Sequence, residues 1–215
     1  MDHEEGGFML SSGSARGFSL VELMVAVSVL AILTAMALPN FTTWIRNSRV
    51  RTVAEALQAG ARLAQAEAQR RTQTVVFFRT DSKDCDITST ANADGPYWQI
   101  RSVPNPLMTN DVAEAVQCGV LTDVSAGVSL TSQVTVGTSA PVSLAALCFG
   151  GDGRQSSMAD PTGIGANCTA GAARYLVAPD TTHAENRRLR VDVSLSGAIR
   201  LCDPDKASTA PDGCR

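Results

Sequence analysis

The chain lacks the residue groupings that most catalytic and cofactor sites need. No Cys-x-x-Cys pair occurs among its six cysteines, which argues against a zinc or dithiol redox centre. Gly150-Gly151-Asp152-Gly153 has neither a following Lys-Ser/Thr nor GxGxxG spacing. It is therefore no phosphate loop or dinucleotide fingerprint, and it reads as a turn between strands. Beyond residue 17 there is one histidine, His183, in a polar stretch with Asp180 and Glu185. A Ser-His-Asp arrangement needs a buried, oriented imidazole, and nothing in that stretch provides one. The expectation is no catalytic residue, no metal and no cofactor. A basic excess is missing too: the formal charge is -3 with cations spread along the chain, unlike a dedicated nucleic-acid protein. Aromatic residues make up only 5%, and Tyr97 and Trp98, on an expected strand, read as core rather than as a base-stacking platform.

What is present is one long apolar run. From Phe18 to Leu38 there are 21 residues, and Glu22 is the only formal charge among them. That length suffices to cross a bilayer as a helix, and a lone acid within such a segment marks function by default. The leader before it is unlike a secretory signal. Asp2, Glu4 and Glu5 precede a single Arg16, and the run passes directly into Pro39-Asn40 with no small-residue exit. One rule points the other way: Arg46, Arg49 and Arg51 follow the run and only Arg16 precedes it, which by charge alone places the C-terminal part on the cytoplasmic side.

Gly17-Phe18-Ser19-Leu20-Val21-Glu22, with Arg16 before the glycine, resembles the processing motif of the type IV pilin and pseudopilin superfamily. The resemblance implies a cut after Gly17, Phe18 as the new and N-methylated N-terminus, and an assembly role for Glu22. In such filaments the N-terminal helices pack side by side, so Glu22 would meet the Phe18 ammonium of a neighbour or of its own chain. Each charge is costly alone in an apolar setting and tolerable as a pair, which makes the pair a register device more than a source of stability. The resemblance also implies a translocated C-terminal part, and this together with the cysteines outweighs the arginine asymmetry.

Downstream, 18–71 reads as one helix weakened at Pro39, which lacks an amide donor. Val50, Val53, Leu57, Ala61, Ala64 and Ala68 form a helical apolar stripe, with Arg51, Glu55, Arg62 and Glu67 off it. After Arg71 the pattern turns to short strands: 75–79, 97–103, 128–136, 142–149, 174–178, 189–195 and 198–202. The expected fold class is α+β, a long N-terminal α-helix packed on an antiparallel β-sheet head. The expected parts are a leader 1–17, a membrane-spanning assembly helix 18–38, its amphipathic continuation 39–71 and a head 72–215. All six cysteines lie beyond the span, and an even number in an exported domain suggests disulfides. Cys202 with Cys214 closes a short loop poor in apolar residues; Cys85–Cys118 and Cys148–Cys168 are the nearest-neighbour pairings, among 15 possible connectivities.

Two head segments, 147–154 and 190–202, are similar to the signature regions of the GspH/FimT class of minor pilins and pseudopilins. The ending Arg200-Leu201-Cys202-Asp203-Pro204 with a closing Cys214 is similar to the FimU type. The resemblance implies a minor type IV pilin, a low-abundance structural subunit that primes pilus assembly or sits at the tip. Implied partners are a prepilin peptidase, other minor and major pilins through helix packing, and the inner membrane, with the head in the periplasm until assembly. The alternatives are a minor pseudopilin of a type II secretion system and a pilus-associated DNA receptor. For DNA, Arg187, Arg188, Arg190 and Arg200 are the candidate contacts. However, Gly197-Ala198-Ile199-Arg200 lacks the first arginine of the Gly-Arg-x-Arg motif of DNA-binding relatives, and Asp192, Asp203, Asp205 and Asp212 offset the field. DNA binding therefore ranks below the structural role.

Overall fold

The computed structural model describes residues 17–121, 127–180 and 186–215; Arg16, His183 and Glu185 lie outside them. The helix α1 runs Leu20–Arg71. Ser19 starts it: its Oγ accepts the amide of Glu22 at 3.2 Å, and its carbonyl accepts the amide of Leu23. This is the Ser-x-x-Glu spacing of a capping box. No single helix among the described residues is long and apolar enough to cross a membrane. The pair Leu20–Met36 and Phe41–Arg71 meets that test together on length and composition. The break between them falls at 37–40, around the proline expected to weaken the helix.

The chain divides into two compact units, one ending at Phe41 and one spanning Thr42–Arg215. In the first, every described side chain from Gly17 to Met36 is exposed, including Phe18, Leu23, Leu30 and Met36. An apolar helix with no protein cover of its own needs a membrane or other chains around it.

In the second unit ten strands follow the helix: β1 (Val75–Thr80), β2 (Tyr97–Ser102), β3 (Ala115–Val120), β4 (Val128–Thr135), β5 (Val142–Ser143), β6 (Ala146–Phe149), β7 (Gln155–Ser156), β8 (Ala172–Pro179), β9 (Leu189–Val193) and β10 (Ile199–Cys202). They form two antiparallel five-stranded sheets, ordered β3-β2-β1-β6-β7 and β10-β9-β8-β4-β5. The six stripe residues of α1 are all at most 1% exposed and share one core with inward residues of both sheets, among them Phe77, Ile100, Tyr175 and Val191. Gly60 lets the helix come close, because a Cβ there would sit 2.9 Å from the Phe77 ring.

Strand β1 is buried on both faces. Val75 and Phe77 enter the main core, while Val76 and Phe78 join a smaller one with Ala146, Cys148, Ile164 and Cys168. The segment 81–96 is anchored on this sheet by two buried arginines. Arg101 donates to the carbonyls of Asp86 (3.0 Å) and Ser89 (2.9 Å) and lies over the Phe78 ring; Arg79 donates to the carbonyls of Gly95 and Ala93. Burial lowers the pKa of both guanidiniums. Disulfides join Cys85–Cys118, Cys148–Cys168 and Cys202–Cys214, and no described cysteine is free.

The structure departs from the sequence reading in four places. The head has two sheets, not one. The run 142–149 is two strands in different sheets, because the chain crosses at Leu144, whose amide and carbonyl both bond Ser132. β3 and β7 went unread: β3 is a half-exposed edge rich in small residues, and β7 is two residues long. Glu67, placed off the stripe, is buried at 9% exposure between two arginines.

Candidate assembly and processing site

The motif residues stand at the open start of α1. Among the described residues nothing lies within 4 Å of a Cβ built at Gly17, and Phe18 is 83% exposed. Glu22 is the one acid in the first turn of the helix, where a carboxylate is favoured by the helix dipole. Phe18 lies two residues before α1, and Glu22, four residues on, is in its first turn. An amine freed at Phe18 would stand one residue before the Ser19 cap, at the same end of α1 as Glu22. In the uncut chain that nitrogen is a neutral amide, so a charge pair with Glu22 would require a cut after Gly17. Sequence reasoning missed the cap by Ser19, although the Ser-x-x-Glu spacing was there to be read.

At the far end of α1, Glu67 accepts from Arg70 Nε (2.8 Å) and Nη2 (2.6 Å) and from Arg71 Nε (2.6 Å), while Arg71 Nη1 reaches Glu114 at 2.7 Å. The Arg70 hydrogen bonds, with those of Arg71, overcome the effect of burial and hold the Glu67 carboxyl down at about 2.

The four arginines considered for DNA are not gathered into one free patch. Arg187 pairs with Asp203 at 2.9 Å, Arg188 pairs with Asp205, and Arg190 pairs with Asp192 at 2.7 Å. The second Arg190 contact, Nε to Asp192 Oδ1, is close but poorly aligned for a hydrogen bond. The Arg188 guanidinium holds Asp205 below the usual carboxylate range. Arg200 is exposed and has no ion pair among the described residues. It stands opposite Asp192, which on its other side is opposite Arg174. Arg174, Arg200 and Arg215 line one cavity of about 210 Å³. Arg174 was not among the sequence candidates, because its neighbourhood follows from strand order and not from spacing. Asp192, Cys202 and Cys214 lie close enough to suggest metal ligands, but the two sulfurs are bonded to each other and offer no thiolate.

Residues 13–38 match the prokaryotic N-terminal methylation motif, and residues 53–197, about two thirds of the chain, match the family described as type II transport protein GspH. The chain belongs to the GspH family. It is thus a member of the pilin and pseudopilin superfamily, with a GspH-class head behind a prepilin motif. No curated protein sequence matches it. Among solved structures, the type IV minor pilin FimU of Pseudomonas aeruginosa is 17% identical, with a TM-score of 0.44 over 80% of this chain and 99% of FimU. The minor pseudopilin EpsH from the type 2 secretion system of Vibrio cholerae is 13% identical, with a TM-score of 0.44 over 74% of this chain and 99% of EpsH. Likenesses this distant assign nothing to this chain by themselves.

Proposed function

We propose that this GspH-family chain is a minor type IV pilin: a membrane-anchored structural subunit, cut after Gly17, methylated at Phe18, and assembled by packing of α1 against the helices of other pilins. The observation that carries this reading is the uncovered apolar helix, which begins at a processing motif, holds one acid in its first turn and leads into a compact, disulfide-locked head. In the membrane the chain stands as a single-pass protein of the inner membrane with its head in the periplasm. Three disulfides favour that oxidising side over the one suggested by Arg46, Arg49 and Arg51. A prepilin peptidase and other pilins are its partners, and its work is assembly rather than catalysis.

The Glu22→Gln variant tests the assembly step. Glutamine at this position still serves a capping box but carries no charge to neutralise the Phe18 amine. The variant is expected to accumulate in the membrane with a folded head and to be absent from sheared filaments. Incorporation at the wild-type level refutes the charge-pair role. A pseudopilin of a secretion system is the second reading, supported by the family's own description. Co-purification with secretion components instead of pilins decides for it.

A further inference from the structure

The stretch of α1 from Trp44 to Arg51, about two turns, carries three arginines and no acid. No aspartate or glutamate occurs anywhere from Leu23 to Ala54. Trp44 is 65% exposed, Arg49 is exposed, and Arg46 is half-buried with no ion pair among the described residues. Arg51 pairs with Glu55, but both side chains are largely exposed, and a pair of that kind contributes little. Its guanidinium is thus available to a second anion. The acids that share a groove with Trp44 and Arg51, Asp203 and Asp212, already hold cations of their own, Arg187 and Lys206. This part of the helix surface therefore presents a net positive field beside one large exposed aromatic ring.

Chain length limits where this surface can stand. Four residues lead from Leu38, the end of the apolar run, to Thr42, at most about 14 Å of chain. Trp44 and Arg46 follow within about 6 Å of helix, so they stay within about 20 Å of the end of the run whatever path the joining residues take. Lipid headgroups begin where the apolar run ends. Tryptophan concentrates at that level, and an arginine stem lies along apolar surface while its guanidinium reaches phosphate oxygens. The inference rests on the membrane-anchored reading, in which arginines on the head side of the span run against the usual charge asymmetry. Lipid phosphate is the counter-charge available to them there. We propose that Trp44, Arg46, Arg49 and Arg51 form a collar that gathers anionic phospholipid, of the phosphatidylglycerol kind, in the leaflet facing the head. Each arginine close to an anionic surface strengthens such a contact about fivefold.

Trp44 serves as the probe, because the second tryptophan of the chain, Trp98, is 8% exposed in the core of the head. The full chain is reconstituted in vesicles of phosphatidylcholine with a minority of phosphatidylglycerol. Bromine is placed on the upper acyl chain of either the phosphatidylglycerol or an equal amount of the phosphatidylcholine. Brominated phosphatidylglycerol is expected to quench tryptophan fluorescence at least about twofold more, and the preference is expected to fade in high salt. It should vanish when Arg46→Gln, Arg49→Gln and Arg51→Gln are combined, and persist when lysine replaces the same three arginines, which keeps the charge. Equal quenching by the two lipids overturns the collar. So does a preference that neither salt nor glutamine reduces, or one that lysine abolishes as fully as glutamine. Carbonate extraction of the same vesicles separates this failure from that of the membrane reading. A chain that resists extraction but shows equal quenching sinks only the lipid contact, and a chain that carbonate removes sinks the anchored reading and the collar with it.

Discussion

Neutralising Glu67 perturbs the join between α1 and the head where the electrostatics are most concentrated. The carboxylate is 9% exposed, and its two guanidinium partners donate three hydrogen bonds of 2.6–2.8 Å to it. Its depression from an ordinary 4.5 to about 2 corresponds to at most about 3 kcal/mol. Arg70, the larger contributor, is 66% exposed in its side chain, so solvent screening reduces this to roughly 1–2 kcal/mol. The sign follows from the direction: the folded chain binds the proton more weakly than the unfolded one. The stabilisation is complete above about pH 4.5 and is lost as pH falls towards 2. Glu67→Gln is therefore expected to lower the melting temperature of the detergent-solubilised chain by roughly 3–6 °C at pH 7. The gap should narrow below pH 4.5 and close near pH 2. Circular dichroism melts of both proteins across that range measure it. A gap that is as wide at pH 2 as at pH 7 refutes the electrostatic account, and no gap at pH 7 removes the network from the stability of the head.

Other consequences are as definite. Replacing Cys202 and Cys214 together by Ser frees a loop with 12 residues of sequence separation and is expected to cost about 3 kcal/mol, read as a lower denaturant midpoint with the other two bridges intact. Gly119 lies on β3 with no room for a side chain, since a Cβ would come within 2.2 Å of the Trp98 ring. Gly119→Ala is expected to destabilise by about 1–3 kcal/mol and to change Trp98 fluorescence, whereas Ala at the exposed Gln117 of the same strand is not. Because Arg187, Arg188 and Arg190 are each paired with an aspartate, the chain is expected not to shift duplex DNA at physiological salt. A shift with a steep salt dependence that Arg200→Ala weakens would restore the DNA-receptor reading.

Local signals were the legible part of this protein. The helix, its buried stripe from Val50 to Ala68 and most strands follow from period 3.6 or period two, which the chain displays over lengths long enough to read. Sheet membership was not legible. The alternation over 142–149 runs straight through the crossing at Leu144, since changing sheets leaves no mark on which residues are apolar. The fate of the charges was half legible. That Asp192, Asp203 and Asp205 would offset the arginines follows from their abundance, but that Arg187 meets Asp203 and Arg188 meets Asp205 depends on how β9 and β10 pair, whereas Arg190–Asp192 is local to β9. Glu67 shows the same limit in part: its pairs with Arg70 and Arg71 are i,i+3 and i,i+4 spacings on one helix, whereas its burial and the reach of Arg71 to Glu114 depend on tertiary placement. At the helix start the candidate site is a linear motif, Gly17 to Glu22, that runs from just before α1 into its first turn and is read from residue types alone.

The central claim is that the apolar helix becomes an assembly element through a cut after Gly17. Mass spectrometry of the N-terminal peptide from the chain isolated with filaments tests it most directly. The account predicts a peptide that begins at Phe18 and carries one added methyl group on its amine. A filament-associated chain that retains residues 1–17, or starts at another residue, contradicts it.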